Sequence, residues 1–230
     1  MDLRYARNIG TFTEAEMEAL LSKKIGIVGC GGLGGYLIEI MARLGVSEMI
    51  VADKDVFDES NLNRQLLSDE KSLGLPKAEK AKNRVAEINS NIKVNHYVGE
   101  VNLKNGLEIF KGVDLILDGV DSIKARFVLQ ELAEKLDVPM IHGAIAGWYG
   151  QVTTVFPGDR TLDLIYPSDV PDVKGIETGL GNPSFTPALV ASIQCSEAAK
   201  VLAGKGELLR KELLYIDTLN QEFEKIQLRP

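Results

Sequence analysis

Between Lys24 and Asp53 an apolar run, a glycine cluster, an amphipathic stretch and a second apolar run ending in acid follow one another without a break. Ile25, Ile27 and Val28 read as a buried strand. Gly29-Cys30-Gly31-Gly32-Leu33-Gly34 comes next, and Leu33, Leu37, Ile40 or Met41, and Leu44 then recur at helical spacing. Glycines let the backbone turn tightly and approach a ligand, while a helix starting there offers unpaired N–H groups to an anion. The second strand, Met49 to Ala52, ends at Asp53, where a carboxylate can accept hydrogen bonds from a ribose. The order strand, turn, helix, strand points to nucleotide binding. Gly29, Gly31 and Gly34 fit G-x-G-x-x-G, which does not separate a dinucleotide from ATP. The same glycines would also serve a doubly wound domain that needs only close helix–sheet packing.

A chain of 230 residues suffices for one substantial core and is short for two. Its net charge of −7 argues against DNA or RNA as the main partner, yet leaves room for a small anion in a local basic pocket. The two cysteines, Cys30 and Cys195, make neither a disulfide framework nor a four-thiolate zinc site. No basic start leads into an apolar run, and nothing approaches the roughly 18 uninterrupted apolar residues of a membrane span. A cytoplasmic protein without signal peptide or membrane contact is expected.

Along the chain, Arg4, Tyr5, Arg7 and Asn8 lie in an arm without core-like period, either solvated or reaching a partner subunit. Thr13 with Glu16 forms a capping box for a short helix. After Asp53 the polar run from Lys54 to Gln65 is too long for a minimal connection and reads as part of a site. Pro76 opens a helix with Ala78, Ala81, Val85 and Ile88 inward and Lys77, Lys80 and Lys82 outward. Strands over Ile92 to Val98, Val113 to Asp118 and Val138 to Ile141 alternate with helices over Leu103 to Phe110 and Ile123 to Leu136. Polar residues collect after the strands, as in a doubly wound sheet that binds ligands beyond its carboxyl ends. Gln151 to Phe156 is a further strand. Thr161 to Leu180, rich in Asp, Gly and Pro, is expected as a mobile loop. Thr186-Pro187 caps an apolar helix ending at Gly204, and Leu213 to Asp217 and Glu222 to Leu228 are two last strands. The expected fold is α/β: a Rossmann-like doubly wound sheet with additional C-terminal strands. An arm and short helix over 1–22 precede a single domain over 23–230.

Asp118 and Asp121 bracket the end of a central strand, where a carboxylate can hold Mg2+ against phosphate oxygens. Asp121-Ser122 reads equally as a helix cap. Arg64 and Lys77 flank the glycine loop and would stabilise charge on phosphates, although surface lysines and arginines are commonly just solvated. Asn61 and Asn63 suit turns as well as ligands. Cys30 and Cys195 read as buried small hydrophobes. His96 and His142 lack a metal or triad partner at local spacing and read as structural. Trp148 and Tyr149 suit a docking surface, a core or a dimer contact equally.

Taken in order, several motifs together resemble one family. They are Arg4-Tyr5-Ala6-Arg7-Asn8, Gly29-x-Gly31-Gly32-Leu33-Gly34, Asp53-x-Asp55 and Ser60-Asn61-Leu62-Asn63-Arg64-Gln65. Gly74-x-Pro76-Lys77, Asp118-x-x-Asp121, Gly143-Ala144, Gly150-Gln151-Val152 and Tyr215-Ile216-Asp217 complete the set. The set is similar to the E1-like adenylyltransferases of thiamine and molybdopterin biosynthesis, the ThiF/MoeB/HesA family, over nearly the whole chain. That resemblance implies an E1-like adenylation domain that uses ATP and Mg2+. Its substrate would be the C-terminal glycine of a ubiquitin-like sulfur-carrier protein ending in Gly-Gly. By that resemblance Gly29, Gly31, Gly32 and Gly34 cradle the nucleotide, with Asp53 on the ribose and Asp55 beside it. Asn61, Arg64 and Lys77 handle phosphates, Asp121 holds Mg2+, and Arg7 crosses a homodimer to the partner's ATP. The stretch 161–180 then matches the crossover loop past which the carrier's tail runs.

Two departures from the family's pattern matter. Many members bind zinc through two C-x-x-C pairs; this chain has none, so no zinc site is expected. Many place a cysteine on the crossover loop, where this chain has Ile176-Glu177-Thr178-Gly179. Simple adenylation without a thiol intermediate is therefore expected, and no rhodanese-like extension is expected to deliver sulfur. The Asn61-to-Gln65 motif with Asp121-Ser122 also resembles the branch that uses ATP to cyclise a threonylcarbamoyl group on tRNA. A nicotinamide-dependent oxidoreductase would use the glycine fingerprint and Asp53 but leave Arg64, Lys77 and Asp121 without tasks. A non-catalytic scaffold for a ubiquitin-like protein would waste the same residues.

Overall fold

The strand that follows the N-terminal arm, β1 (Lys24–Val28), is buried on both faces, which is why its sequence is an unbroken apolar run. The computed structural model describes residues 2–166 and 177–229. β2 (Glu48–Asp53) lies parallel to β1 with Val51 opposite Ile27, and β3 (Lys93–Val98) extends the sheet beyond β2. β4 (Leu115–Asp118) pairs with the other side of β1, again in parallel, and β5 (Met140–Ala146) pairs with β4. β6 (Tyr149–Val155), β7 (Glu212–Asp217) and β8 (Glu222–Gln227) then add antiparallel. The result is one eight-stranded sheet of order β3-β2-β1-β4-β5-β6-β7-β8. The Rossmann-like sheet with additional C-terminal strands is thus present.

Alternate residues of each inner strand serve opposite faces. Ile25, Ile27, Met49, Val51, Leu115 and Leu117 pack with α1 (Glu14–Leu21), α2 (Gly32–Leu44) and α3 (Lys77–Ile88). Val28, Ile50, Ala52 and Ile116 face the opposite layer, α4 (Leu103–Ile109) and α5 (Ile123–Leu136), through Phe110, Leu129 and Leu132. The stripe Leu33, Leu37 and Met41 of α2 is buried as its spacing requires. Each such side chain contributes about 1.5–3 kcal/mol. Thr13 and Glu16 form the expected capping box at α1.

Three details differ from expectation. The stretch 161–180 is not wholly loop: α6 (Leu162–Ile165) and α7 (Glu177–Leu180) occupy its ends, and 167–176 lie outside the described residues. The last long helix, α8 (Phe185–Ala203), starts two residues earlier than a Thr186 cap would set it, and Ser184 stands at its N-cap without a side-chain cap. Buried Thr186 instead donates its hydroxyl to the carbonyl of Gly147 at 2.6 Å, tying α8 to the β5–β6 hairpin. The N-terminal arm is anchored through Tyr5 and Asn8, while Arg4 and Arg7 stay exposed. Residues Leu3–Asn8 form a 3-10 turn whose Tyr5 is buried beside Gly45, accepting a hydrogen bond from Asn89 Nδ2 at 2.7 Å. Asn8 Nδ2 donates to the carbonyl of Leu44 at 3.3 Å. The arm therefore sits at the carboxyl end of α2. Among the described residues no helix is long and apolar enough to cross a membrane.

Backbone meets backbone where the β1–α2 turn touches the turn after β4. A Cβ on Gly34 would stand 1.7 Å from the carbonyl oxygen of Gly29, and one on Gly119 would stand 2.8 Å from the same oxygen. Gly29 has φ +90° and a Cβ there would meet the carbonyl oxygen of Gly119 at 2.4 Å. Gly34→Ala must push the start of α2 off the sheet and should lose at least about 2 kcal/mol in urea unfolding. Gly32→Ala, whose Cβ would meet nothing nearer than 3.9 Å, should stay within about 1 kcal/mol of wild type.

Candidate active site

The carboxyl ends of β1, β2 and β4 converge on one crevice, because β1 is flanked by strands whose connections run in opposite directions along the sheet. Gly29 donates its N–H to the carbonyl of Ala52 at 2.8 Å, binding the glycine turn to the end of β2. One residue further, Asp53 accepts the N–H of Cys30 at 2.6 Å and that of Asp55 at 2.8 Å. Burial pushes the Asp53 carboxyl above its usual range, opposed by those two N–H groups and by Lys77. Asp53 is thus fixed against the glycine loop. Gly31 and Gly32, unlike Gly29 and Gly34, meet no backbone: their Cβ positions face the Gln65 amide at 3.6 Å and Pro187 at 3.9 Å.

The polar run after β2 is a folded insert. Phe57 exchanges backbone hydrogen bonds with the chain just ahead of α3, donating to the carbonyl of Leu75 and accepting from Gly74. Lys77 N–H donates to the carbonyl of Asp55 at 3.0 Å. That clamp turns Lys77 inward, against the outward placement expected for it. Its side chain is 8% exposed, with Nζ 3.7 Å from Asp55 Oδ2 and 5.9 Å from the centre of the Phe57 ring. Asn61 is buried and caps its own 3-10 turn, accepting the N–H of Asp58 at 3.2 Å. Arg64 donates to the carbonyl of Ser60 at 2.8 Å and to Asn63 Oδ1 at 3.0 Å, and its Cγ stands 4.0 Å from a Cβ on Gly32. Gln65 escaped the choice of site residues: it is buried beside Gly31 and its Oε1 has no hydrogen-bond partner among the described residues.

Asp118 and Asp121, which bracket the end of the strand in sequence, part company here. Asp118 is fully buried; its Oδ1 accepts the N–H of Val120 at 3.0 Å, and Oδ2 lies 2.6 Å from His142 Nδ1. Burial lowers the His142 pKa, opposed by Asp118. A neutral ring with its proton on Nδ1 satisfies every neighbour: Nδ1 donates to Asp118, and Nε2 accepts from the Tyr166 hydroxyl at 3.0 Å. Tyr166 in turn accepts from Gln151 Nε2 at 2.6 Å. His142 therefore has a partner, 24 residues away in sequence, that local spacing does not reveal. Asp121 is exposed, on the turn that Gly119 presses against the glycine loop, and its carboxylate has no partner among the described residues. The cap of α5 is Ser122, which accepts the N–H of Ala125 at 3.2 Å.

The fold brings together Gly31, Gly32, Asp53, Asp55, Arg64, Lys77 and the Asp121 turn. Arg7 is elsewhere: exposed on the arm at the far end of α2, a helix of 13 residues, or about 20 Å long. These residues fit a nucleotide with a divalent cation. Open backbone lies at Gly31 and Gly32, an orphaned polar atom at Gln65, and an unpaired carboxylate at Asp121. Among the described residues no cluster of His, Cys, Asp and Glu could itself hold a metal.

The ThiF family matches residues 5–230 of the chain. The SAMP-activating enzyme E1 of Haloferax volcanii is 34% identical over 234 residues, covering 98% of this chain and 85% of that protein. The sulfur carrier protein adenylyltransferase of Thermus thermophilus is 31% identical over 221 residues, covering 92% of this chain and 81% of its own length. Of other curated relatives the chain spans only 30% to 56%. Among solved structures, Escherichia coli MccB with ATP superposes with a TM-score of 0.81 at 20% identity, covering 99% of this chain and 72% of that one. This chain belongs to the ThiF family. It is an enzyme of the ThiF/MoeB-like adenylyltransferase class.

Neither thiol is set up for attack. Burial pushes Cys30 up, with Asp53 adding to it against Lys77, and burial alone raises Cys195 far above the usual thiol range. In the folded protein at pH 8 both cysteines should resist iodoacetamide, and both should react once urea unfolds the chain. Rapid alkylation of either in the native state would contradict this.

Proposed function

We propose that this enzyme uses ATP to adenylate the C-terminal carboxylate of a small sulfur-carrier protein. The reading rests above all on Lys77: a lysine from an otherwise charged helix face, turned inward and held beside Asp55 and Asp53 at the glycine loop. Burying an ammonium is costly unless an anion meets it, and a triphosphate is such an anion. The relatives named for activating SAMP and for adenylating a sulfur carrier support the same substrate class.

In the proposed reaction a carboxylate oxygen of the carrier attacks the α-phosphorus of ATP. The bond to the bridging oxygen breaks and pyrophosphate leaves with the electron pair. The chain's residues bind and neutralise, since in-line phosphoryl chemistry asks little covalent help of the protein. Asp53 orients the ribose; Gly31 and Gly32 let the phosphates approach the first N–H groups of α2. Asn61, Arg64 and Lys77 offset negative charge as it shifts to the leaving group. Asp121 would hold Mg2+, which supplies charge neutralisation when bound. Arg7, too far from its own glycine loop to reach it, acts across a homodimer on the partner's ATP. The carrier's tail ends in Gly-Gly, slim enough to reach the phosphate without side-chain obstruction.

Calorimetry should show ATP–Mg2+ binding and weaker or no NAD binding; the reverse would end this reading. A carrier ending in Gly-Gly should support exchange of labelled pyrophosphate into ATP, and trimming that tail should abolish it. Lys77→Ala should lower exchange about 10²–10³-fold, the cost of losing one charged contact to the transition state. Exchange should survive with Cys30 and Cys195 both replaced. If a tRNA stimulates ATP hydrolysis and no carrier supports exchange, the tRNA-modifying branch replaces this reading.

The homodimer has its own test. Arg7→Ala and Asp121→Ala chains, each nearly inactive alone, should regain activity in verified mixed dimers, because one hybrid site carries both native groups. Absence of recovery would leave Arg7 without a role in trans.

A further inference from the structure

Val120 immediately precedes Asp121, and side chains hold both of its peptide groups. Asp118 Oδ1 accepts its N–H at 3.0 Å, and Arg126 Nη2 donates to its carbonyl at 3.4 Å. Neither grip stands alone. Asp118 Oδ2 is engaged by His142 at 2.6 Å, and Arg126 lies with its guanidinium 5.5 Å from the centre of the Tyr166 ring. Arg126 Nε is buried without a hydrogen-bond partner among the described residues, 3.9 Å from Asp118 Oδ2. Tyr166 closes the circuit through its hydroxyl, placed between His142 Nε2 and Gln151 Nε2. β4, α5, β5, β6 and the end of α6 therefore meet on one buried polar cluster whose output is the turn carrying Asp121.

The cluster has the form of a support for a ligating residue, not of a site. His142 is fully buried, and both its ring nitrogens are engaged within the protein. The backbone of Asp118 is fixed as well, its carbonyl accepting from Gln194 Nε2 at 2.9 Å. The next carboxylate along the turn, Asp121, is exposed and outside this network among the described residues. A cation ligand on a turn needs such outer support, since its reach is set by the backbone that carries it.

We propose that His142 and Tyr166 are positioning residues for the adenylation site, acting through Asp118 and Arg126 to hold the Val120–Asp121 turn in the form that presents Asp121 to the nucleotide's cation. This rests on the role proposed for Asp121. His142→Asn keeps a donor near the Nδ1 position and should bind ATP–Mg2+ within about threefold of wild type. His142→Leu removes the donor and should weaken ATP–Mg2+ binding and pyrophosphate exchange about 10–100-fold, the usual cost of losing an outer-shell partner. ATP binding without Mg2+ should change little in either variant. Tyr166→Phe, at a partly exposed residue, guards against misfolding of the Leu variant and should show the same Mg2+-specific loss at smaller size.

The chain has two histidines, His96 exposed on β3 and His142 buried, so imidazole 15N spectra resolve the latter. In wild type, His142 should carry its proton on Nδ1, and ATP–Mg2+ should shift its signals while leaving those of His96 in place. Folded His142→Leu and Tyr166→Phe proteins with unchanged ATP–Mg2+ affinity, or a His142 spectrum indifferent to ATP–Mg2+, would overturn the proposal. If the wild-type protein binds no ATP–Mg2+, the role of Asp121 falls and the relay falls with it. If it binds and both variants bind equally, only the relay falls.

Discussion

The contact of Gly29, Gly34 and Gly119 sets the distance between two turns that have no sequence neighbourhood. Two carbonyls and a helix backbone occupy the space that side chains would fill, and the start of α2 lies directly on the turn after β4. Because β1 lies between β2 and β4, that contact falls where the sheet's connections diverge, and the crevice opens there. The turn that leads to Asp121 is thereby held against the glycine loop. Any larger residue at these positions would separate them.

The insert between β2 and α3 solves a second problem. A lysine at the first turn of an exposed helix has no reason to turn inward, and removing it from water costs more than a single partner at 3.7 Å returns. Backbone bonds from Phe57 to Leu75 and from Lys77 to Asp55 leave it little choice. The inward lysine is thereby held at some expense to stability. Gln65, with an unpartnered oxygen beside Gly31, belongs to the same pattern.

Period and punctuation carried most of the architecture. Alternating apolar strands, the α2 stripe, the Thr13 capping box and the two last strands are local signals, and each element formed close to where its residues placed it. What failed was tertiary. The burial of Tyr5 had no local signal because its partner Asn89 lies 84 residues away. His142 looked isolated because Asp118, Tyr166 and Gln151 reach it only through sheet pairing and the return of the chain at α6. Lys77 looked outward because helical spacing cannot register the clamp ahead of the helix. Thr186 has the composition of a cap, yet the β5–β6 hairpin offered its hydroxyl a buried carbonyl instead. Of the stretch 161–180, residues 161–166 and 177–180, with their two short helices, lie within the described residues on which the expectation can be compared.

The fingerprint itself divides in two. Gly29 and Gly34, its first and last members, are required by contacts inside the protein and would be required whatever the ligand. Gly31, the middle member, and Gly32 beside it have only side-chain atoms as nearest neighbours, at 3.6 Å and beyond, so no contact inside the protein demands a glycine there. Two-thirds of the pattern therefore reports packing inside the protein, and the remaining third lies at the start of α2 without such a demand. Neither part distinguishes a dinucleotide from ATP. That distinction rests on Lys77, Arg64 and Asp121, which lie outside the fingerprint and are brought to it by the insert and by the turn after β4. The chemistry of this chain is therefore set by connections between strands, on a sheet whose glycines fix only where those connections meet.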